Sequence, residues 1–364
     1  MSTQTTSPAR PPAVRLRALG WVRANLLATP LSAAVTLLCL WLLWQTVPGL
    51  IGWAVIDARW SGTTREACQG ATGACWVFVR AWFDQFVYGF YPVDQRWRVD
   101  VAGIVFALFA AVLLWPGFPR KRVVGVVAAV AFPPACIVLL LGGWFGLPVV
   151  ETRLWGGMML TAFMAVYAGL IAVPLGILLA LGRQGRLPLI RTVSVILIEF
   201  WRGVPILTVI FLASFILPLI VPAGVTVDQL ARAVIALGLV IAAYMAEVVR
   251  GGLQTLPPGQ AEAARALGLN YWKTTLLIVL PQALRVSIPG LVNEFIALIK
   301  NTSLVLIISL FDLLGVAHRA KSDPQWAGQG LEAYVFAGGV FWLVCFALSR
   351  YSLGLERRLG VGKR

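Results

Sequence analysis

The chain has 364 residues, of which 59% are hydrophobic and 12% are charged. A soluble globular protein carries about a quarter charged residues, so this composition excludes a soluble enzyme, a secreted disulfide scaffold and a disordered chain. Lysine and arginine total 30 against 15 acids, a net charge of +15. In a chain this apolar, the excess of basic residues predicts a membrane protein with basic loops on the cytoplasmic side. A nucleic-acid partner is therefore not expected. The apolar runs are long enough for helices, and a single histidine, His318, gives no basis for a metal site.

The N-terminal region begins with an arginine-containing leader, residues 1–30, followed by an apolar run at 31–56. A cleaved signal peptide is the alternative, but the leader and the run are both long and no clear small-x-small cleavage site follows. We predict an uncleaved first span and a cytoplasmic leader. Residues 57–98 then form a polar, aromatic loop that we expect in the periplasm. A disulfide between Cys68 and Cys75 is expected there, with free thiols as the alternative.

The remaining apolar runs predict seven more spans, because a helix needs about 20 mainly apolar residues to cross a bilayer. These spans lie at 101–118, 123–143, 157–181, 193–221, 230–250, 275–299 and 331–353. The predicted fold is therefore an all-α integral membrane bundle of about eight transmembrane helices. Three of them belong to an N-terminal extension, 31–152, and five to a core domain, 153–353.

Two details of these spans are less regular. The apolar run at 303–316 is short and contains Asp312, which suits a re-entrant or interfacial segment. Arg232 lies near one end of its span and is expected to extend to the membrane interface. With eight spans, both termini, including the basic tail 354–364, lie on the cytoplasmic side, as the positive-inside bias requires.

The polar loop at 251–274 predicts a short helix presented on the inner face. Pro257 and Pro258 suit its first turn, where backbone N–H groups have no partner. Glu262 lies early, where its charge complements the positive end of the helix. Gly268 suits a left-handed stop. Because alanines make this helix thin, it is suited to the groove of another protein.

This loop resembles the signature of ABC importer permeases, which reads Glu-Ala-Ala, three residues, Gly, nine residues, Ile-x-Leu-Pro. The matching residues are Glu262, Ala263, Ala264, Gly268, Ile278, Leu280 and Pro281. The spacing shows no departure from the pattern.

Flanking segments extend the resemblance to permeases of polar amino-acid importers. Residues 199–205 are similar to their Glu-x-x-Arg-Gly-Thr-Pro element, with Val204 in place of the usual threonine. Residues 243–252 are similar to a Tyr-x-x-Glu-x-x-Arg-Gly element that precedes the loop in these permeases. Residues 280–285 and 300–304 are similar to their segments on the C-terminal side of the loop.

The resemblance covers over half the chain and implies a type I ABC importer in a bacterial inner membrane. Its permease core has five helices, and the loop is the coupling helix that docks on a cytoplasmic ATPase. ATP and magnesium then bind to that partner, so this chain is a transport subunit without a cofactor and without enzymatic activity. The resemblance also implies a periplasmic amino-acid-binding protein. A second, related permease is expected to complete a heterodimer, because enlarged permeases resemble one half of such a pair.

Charged residues inside the spans are costly and need an explanation. Glu199 with Arg202, and Glu247 with Arg250, are each three residues apart, so each pair can neutralise itself near a span end. We favour a packing role for both pairs.

Polar residues of the seventh span and its end are candidates for the translocation path, because an amino acid carries both charge signs. The alternative is that they bridge helices. The candidates are Arg285, Asn293, Glu294, Lys300 and Asn301.

Two other classes of function compete with the importer. An ion-coupled secondary transporter of small polar solutes has no reason to match an ATPase-docking loop. A membrane-embedded enzyme needs a catalytic cluster, and no pair of acids, Cys–His pair or Ser–Lys pair is convincingly placed in the sequence.

Overall fold

The computed structural model describes residues 18–115, 117–185, 187–222, 224 and 226–359. The predicted leader up to residue 17 and the end of the predicted tail from residue 360 lie outside these ranges. By contacts the chain divides into two compact units, one ending at Val77 and the other beginning at Phe78.

The described residues contain seven helices that are long and apolar enough to cross a membrane, and the count rises to eight if one bent pair is a single span. The seven are Pro30–Ile56, Val93–Leu114, Val123–Leu141, Gly157–Gln184, Gln229–Gln254, Tyr271–Ile308 and Leu331–Arg357. The bent pair is Pro188–Gly203 with Ile206–Ile220. The prediction of an all-α membrane bundle with about eight spans is confirmed.

The first unit contains α1 (Ala18–Asn25) and α2 (Pro30–Ile51), which continues as a π-helical turn, Gly52–Ile56. Thr29 caps α2 by accepting a hydrogen bond from the Ser32 amide, 3.1 Å away. A proline in the first turn agrees with this start, because its missing N–H would have no helical partner.

The loop after α2 folds back on the end of that helix. The Ala74 amide donates to the Trp53 carbonyl at 2.8 Å, and the Trp76 indole donates to the Ala54 carbonyl at 2.8 Å. These bonds satisfy carbonyls that a helix end leaves without partners. Cys68 and Cys75 form a disulfide within this loop.

The other α-helices follow in chain order. They are α3 (Trp76–Ala81), α4 (Phe83–Tyr88), α5 (Trp97–Leu114), α6 (Lys121–Val130), α7 (Phe132–Leu141), α8 (Gly157–Gln184), α9 (Pro188–Gly203), α10 (Ile206–Phe211), α11 (Leu217–Ile220), α12 (Gln229–Gln254), α13 (Gly259–Ala266), α14 (Tyr271–Lys273), α15 (Leu280–Asn301), α16 (Leu313–Lys321) and α17 (Leu331–Leu359). Shorter elements are the π turns Leu212–Ile216 and Thr274–Val279, the 3-10 turns Arg65–Cys68, Val93–Gln95, Thr152–Leu154, Thr302–Ile308 and Pro324–Trp326, and the strand β1 (Phe311–Asp312).

Helices α8 and α12 pack against each other at the centre of the second unit, and small residues let their backbones approach closely. A Cβ atom added at Gly238 would lie 2.9 Å from the Cβ of Ile171, and one at Gly176 would lie 2.9 Å from the Ala242 carbonyl oxygen. In a membrane, such close approach is a main source of helix association, because lipid removes the hydrophobic drive between helices.

The predicted span at 193–221 is two helices that meet at an angle of 100°. Pro205 cannot continue a helix, and it holds the preceding residue, Val204, in an extended conformation. Further along, Arg232 donates to the Ser214 carbonyl oxygen at 2.6 Å, within the π turn Leu212–Ile216. The Arg232 guanidinium therefore partners a backbone carbonyl of a neighbouring segment, and the expectation that this side chain extends to the membrane interface stays a prediction.

Two predicted spans also differ from the structure. The second span begins before residue 101, because Arg98 is buried within α5 and donates to the Pro148 carbonyl at 3.0 Å. The predicted loop 57–98 is correspondingly shorter. The third span is interrupted at Ala131 between α6 and α7, where Pro133 and Pro134 follow.

The apolar run at 303–316 does not form a continuous helix. The 3-10 turn Thr302–Ile308 ends at Ser309, whose φ of +63° is left-handed. The strand β1 then pairs with Gly156 and Gly157 before α16 begins.

Asp312 is buried at this junction, outside the membrane-spanning helices. It caps α16 by accepting a hydrogen bond from the Gly315 amide at 2.9 Å. Burial raises the pKa of its carboxyl from 3.8 to about 6, although hydrogen bonds from backbone amides and Thr302 oppose the shift.

Gly238→Val should destabilise the second unit. The valine methyl groups must enter the space of Ile171, and such overpacking costs about 1–3 kcal/mol. Gly339→Val in α17 is the matched control, because a Cβ there meets no atom within 4 Å. Thermal unfolding in detergent measures both, and equal melting temperatures for the two variants would contradict the close approach.

Asp312 should make stability depend on pH. The folded state holds the proton more tightly than the unfolded state, so its contribution is fully present below about pH 4 and is lost as pH rises through about 6. The two pKa values correspond to about 3 kcal/mol. Asp312→Asn keeps a capping oxygen but cannot ionise, so its unfolding curves should lose this pH dependence. Parallel curves for the wild type and the variant from pH 4 to about pH 8 would refute the assignment.

Candidate functional site

The predicted coupling loop contains a short helix, α13, that is mostly exposed. Pro258 precedes its first residue, Gly259, and Glu262 lies in its first turn. Ala264 is 2% exposed and faces the body of the protein, whereas Glu262 and Ala263 point outward. The helix packs on the π turn Thr274–Val279. A thin helix with one small buried residue therefore rests on the beginning of the next span.

Both ends of the segment after α13 are fixed by hydrogen bonds. Gly268 has a φ of +75°, and its amide donates to the Arg265 carbonyl at 2.9 Å. The Leu269 amide donates to the Ala264 carbonyl at 3.1 Å. The Asn270 side chain then accepts from the Lys273 amide at 2.9 Å and starts α14. Because the left-handed conformation costs a residue with a Cβ atom about 1–2 kcal/mol, glycine is the residue that fits at 268.

The signature residues do not form one surface. Glu262 and Ala263 are exposed on α13, and Gly268 is exposed just after it. Ile278 and Leu280 are half-buried in the following helix, and Pro281 lies beside them at the start of α15. Around α13 the exposed signature residues are therefore Glu262, Ala263 and Gly268, next to the Leu267 side chain, which is 81% exposed, whereas Ala264 is buried.

Near this loop, charged side chains from three helices form a cluster around Glu247. Arg183 of α8 lies 3.0 Å from the Glu247 carboxylate, Arg250 lies 2.8 Å from it, and Arg202 of α9 lies 3.7 Å from it. Arg183 also pairs with Glu199 at 2.8 Å. The expected pairing within Glu247 and Arg250 is present. Glu199 and Arg202 do not pair with each other, because Arg183 and Glu247 on the neighbouring helices lie within reach.

The break between α9 and α10 opens on a cavity of about 470 Å³. Arg202, Tyr244, Glu294 and Asn301 supply its polar side chains. The Arg202 guanidinium lies 5.7 Å from the centre of the Tyr244 ring. Gly203, Val204, Pro205, Ile206, Ile241 and Ala297 complete the lining. The cavity therefore presents a cation and a carboxylate together, which is the arrangement that complements a small zwitterion.

Two of the five predicted path residues lie in this cavity, because Glu294 and Asn301 are seven residues apart on one face of α15. Arg285, Asn293 and Lys300 are exposed on the same helix and do not line it. The sequence analysis did not place Tyr244 in the path, and it favoured a packing role for Arg202. The Gly-Val-Pro interruption directly after Arg202 was the available signal, since broken helices in transporters mark binding sites.

The comparison with protein families decides the assignment. The family described as "Binding-protein-dependent transport system inner membrane component" matches residues 172–361, just over half of the chain. The chain belongs to this family of inner-membrane permease components. The matched range contains α13, every residue of the Glu247 cluster and the whole lining of the cavity at Arg202. As an inner-membrane permease component, the chain is a multi-pass transport subunit.

Relatives extend the match to the N-terminal region. The chain is 49% identical over 347 residues to the inner membrane amino-acid ABC transporter permease protein YhdY of Escherichia coli (strain K12), covering 95% of this chain and 94% of that protein. It is 37% identical over 431 residues to the glutamate/glutamine/aspartate/asparagine transport system permease protein BztC of Rhodobacter capsulatus, covering 98% and 97%. A crystal structure of an amino acid ABC transporter with histidines matches with a TM-score of 0.50 at 30% identity, over 56% of this chain and 92% of that one.

Glu247→Gln should destabilise the permease more than Glu199→Gln. The Glu247 side chain is 17% exposed and neutralises three arginines, so its loss costs on the order of 3 kcal/mol. The Glu199 side chain is 54% exposed, and its loss should cost less than about 1 kcal/mol. Thermal unfolding in detergent distinguishes them, and a Glu199 variant as unstable as the Glu247 variant would show that Glu247 is not the centre of the cluster.

Proposed function

We propose that this chain is the permease subunit of an ATP-driven amino-acid importer, in which α13 is the helix that couples transport to a separate ATPase. The observation that carries the proposal is the exposed helix itself, which is fixed by hydrogen bonds at its end and rests on the start of a span. A helix that only connects two spans has no need of an outward face with this rigidity.

The contacts of α13 provide a route from the docking surface to the cavity. Ala264 packs toward the π turn Thr274–Val279, which leads directly into α15. Glu294 and Asn301 lie on α15 and line the cavity. A displacement of α13 by a partner would therefore move two of the polar groups that face the substrate.

Amino acids are the proposed substrates, and the cavity supports that class. Arg202 suits a substrate carboxylate and Glu294 suits an ammonium group. The permeases YhdY and BztC are described as parts of amino-acid transport systems. The alternative, an ion-coupled secondary transporter, is not favoured, because the chain belongs to a family of binding-protein-dependent systems.

The proposed assembly contains three further kinds of chain. A cytoplasmic subunit binds ATP and magnesium and docks on α13, and a periplasmic amino-acid-binding protein delivers the substrate. A second, related permease completes a heterodimer. In this arrangement both termini of the chain and the loop 251–274 lie in the cytoplasm of a bacterium, and the disulfide loop lies in the periplasm.

Gly268→Ala should reduce uptake of labelled L-amino acids in cells that lack the wild-type chain. Alanine at a φ of +75° is strained by about 1–2 kcal/mol. This strain should weaken the hydrogen-bonded turn that ends α13. Gly259→Ala is the matched control, because a Cβ atom at either glycine meets nothing within 4 Å and only Gly268 of the two is left-handed. The amino acids whose uptake is lost in cells without the chain identify the substrates.

Two results would count against the proposal. If Gly268→Ala transports as well as Gly259→Ala at equal membrane abundance, α13 does not couple transport to a partner. If the purified chain alone, reconstituted in vesicles, accumulates amino acids when an ion gradient is imposed, the secondary-transporter alternative replaces the importer.

A further inference from the structure

A second cavity, of about 560 Å³, lies between α7, α8 and α12 and shares no residue with the cavity at Arg202. Its volume falls within the range of about 300–1,000 Å³ that small-molecule sites occupy. The walls are largely apolar, and they include Ile137, Leu141, Phe163, Tyr167, Val234 and Ile235. The proposed transport function does not use this space.

The mouth of this cavity is charged. Arg153 and Glu151 form an ion pair there, with side chains 75% and 60% exposed. Asp228 also lines the mouth. One of its oxygens caps α12 at the Ala231 amide, 3.1 Å away, and the other accepts from the Thr152 hydroxyl at 2.5 Å. One cation and two carboxylates therefore meet above apolar walls.

The position of the cavity relative to the spans restricts its ligand. The six wall residues named above belong to Val123–Leu141, Gly157–Gln184 and Gln229–Gln254, whereas the charged residues precede the last two of these spans. The cavity therefore opens at a membrane interface and extends toward the hydrocarbon. Water does not fill an apolar cavity favourably, so the matching ligand has a hydrocarbon chain and a charged headgroup.

We infer that this cavity binds a zwitterionic phospholipid with a primary ammonium group, phosphatidylethanolamine. The phosphate lies at Arg153, since a guanidinium binds phosphate through charge-assisted hydrogen bonds. The ammonium group lies between Glu151 and Asp228, and one acyl chain lies along the apolar walls. Phosphatidylglycerol has no cation for the two carboxylates. The quaternary ammonium of phosphatidylcholine has no N–H to donate to them.

The lipid would join the N-terminal extension to the core. Ile137 and Leu141 belong to α7 in the extension, whereas Phe163 and Val234 belong to α8 and α12 of the core. An acyl chain between them supplies apolar contacts across this space. This role does not depend on transport, so a failure of the proposed importer would leave it intact.

Native mass spectrometry of the full chain, purified and delipidated together with whatever chains it assembles with, tests the inference. The complex is incubated with equal amounts of phosphatidylethanolamine, phosphatidylglycerol and phosphatidylcholine of identical acyl chains. The wild type should retain about ten times more phosphatidylethanolamine than either of the other two lipids, a difference that corresponds to one charge-assisted hydrogen bond. Glu151→Gln combined with Asp228→Asn should remove the preference over phosphatidylglycerol.

Two further variants separate the cavity from the rest of the surface. Ala231→Trp places an indole in the cavity, where it occupies space that the acyl chain needs. Retention of the lipid should fall at least about fivefold. Arg153→Gln changes an exposed residue, so it should fold normally while losing most retention. Leu343→Trp is the control, because Leu343 is 59% exposed on α17 and does not line the cavity, and its retention should equal that of the wild type.

Three outcomes would overturn the inference. Equal retention of the three lipids by the wild type would remove the headgroup assignment. Undiminished retention in both Ala231→Trp and Arg153→Gln would place the lipid elsewhere. A wild-type complex that retains none of the three lipids would show that the cavity does not hold a phospholipid.

Discussion

The constraint on which this structure depends is that backbone groups inside a bilayer must find partners within the protein. Irregular segments of the described chain show how such partners are supplied. The Ala74 amide and the Trp76 indole bind carbonyls at the end of the first span, and Arg232 binds the Ser214 carbonyl. The break at Val204 and Pro205 instead lines a polar cavity. A break that faces an open polar space is therefore also the proposed substrate site.

The same logic explains why the charged residues cluster. Arg183, Glu199 and Glu247 come from three helices and form one connected set of ion pairs. A single buried carboxylate would be costly, but one shared by several guanidinium groups is compensated. Arg202 belongs to this cluster and also lines the cavity, so its packing role and its proposed role in substrate recognition fall on the same side chain.

Much of the architecture could be predicted from the sequence, because span length, loop charge and the stop at Gly268 are local properties. The exact pairing of charges could not, since it depends on which helices are neighbours. Arg98 shows the same limit, because a window of hydropathy assigns it to a loop while the fold buries it against the Pro148 carbonyl. Tyr244 belongs to the Tyr-x-x-Glu-x-x-Arg-Gly element, but the sequence does not show that α12 places it opposite the bend after Arg202, where both residues line the cavity.

The two cavities differ because their walls differ. Arg202 and Glu294 line the space formed by a broken helix, so a polar solute can exchange its water for protein groups there. The cavity beside α7 carries its charges only at the mouth, above apolar walls. A free amino acid entering it would lose hydration without gaining partners, whereas a lipid loses little. The cavity at Arg202 has polar groups along its lining and suits a transported solute. The cavity beside α7 has charges only at its mouth and suits a bound lipid.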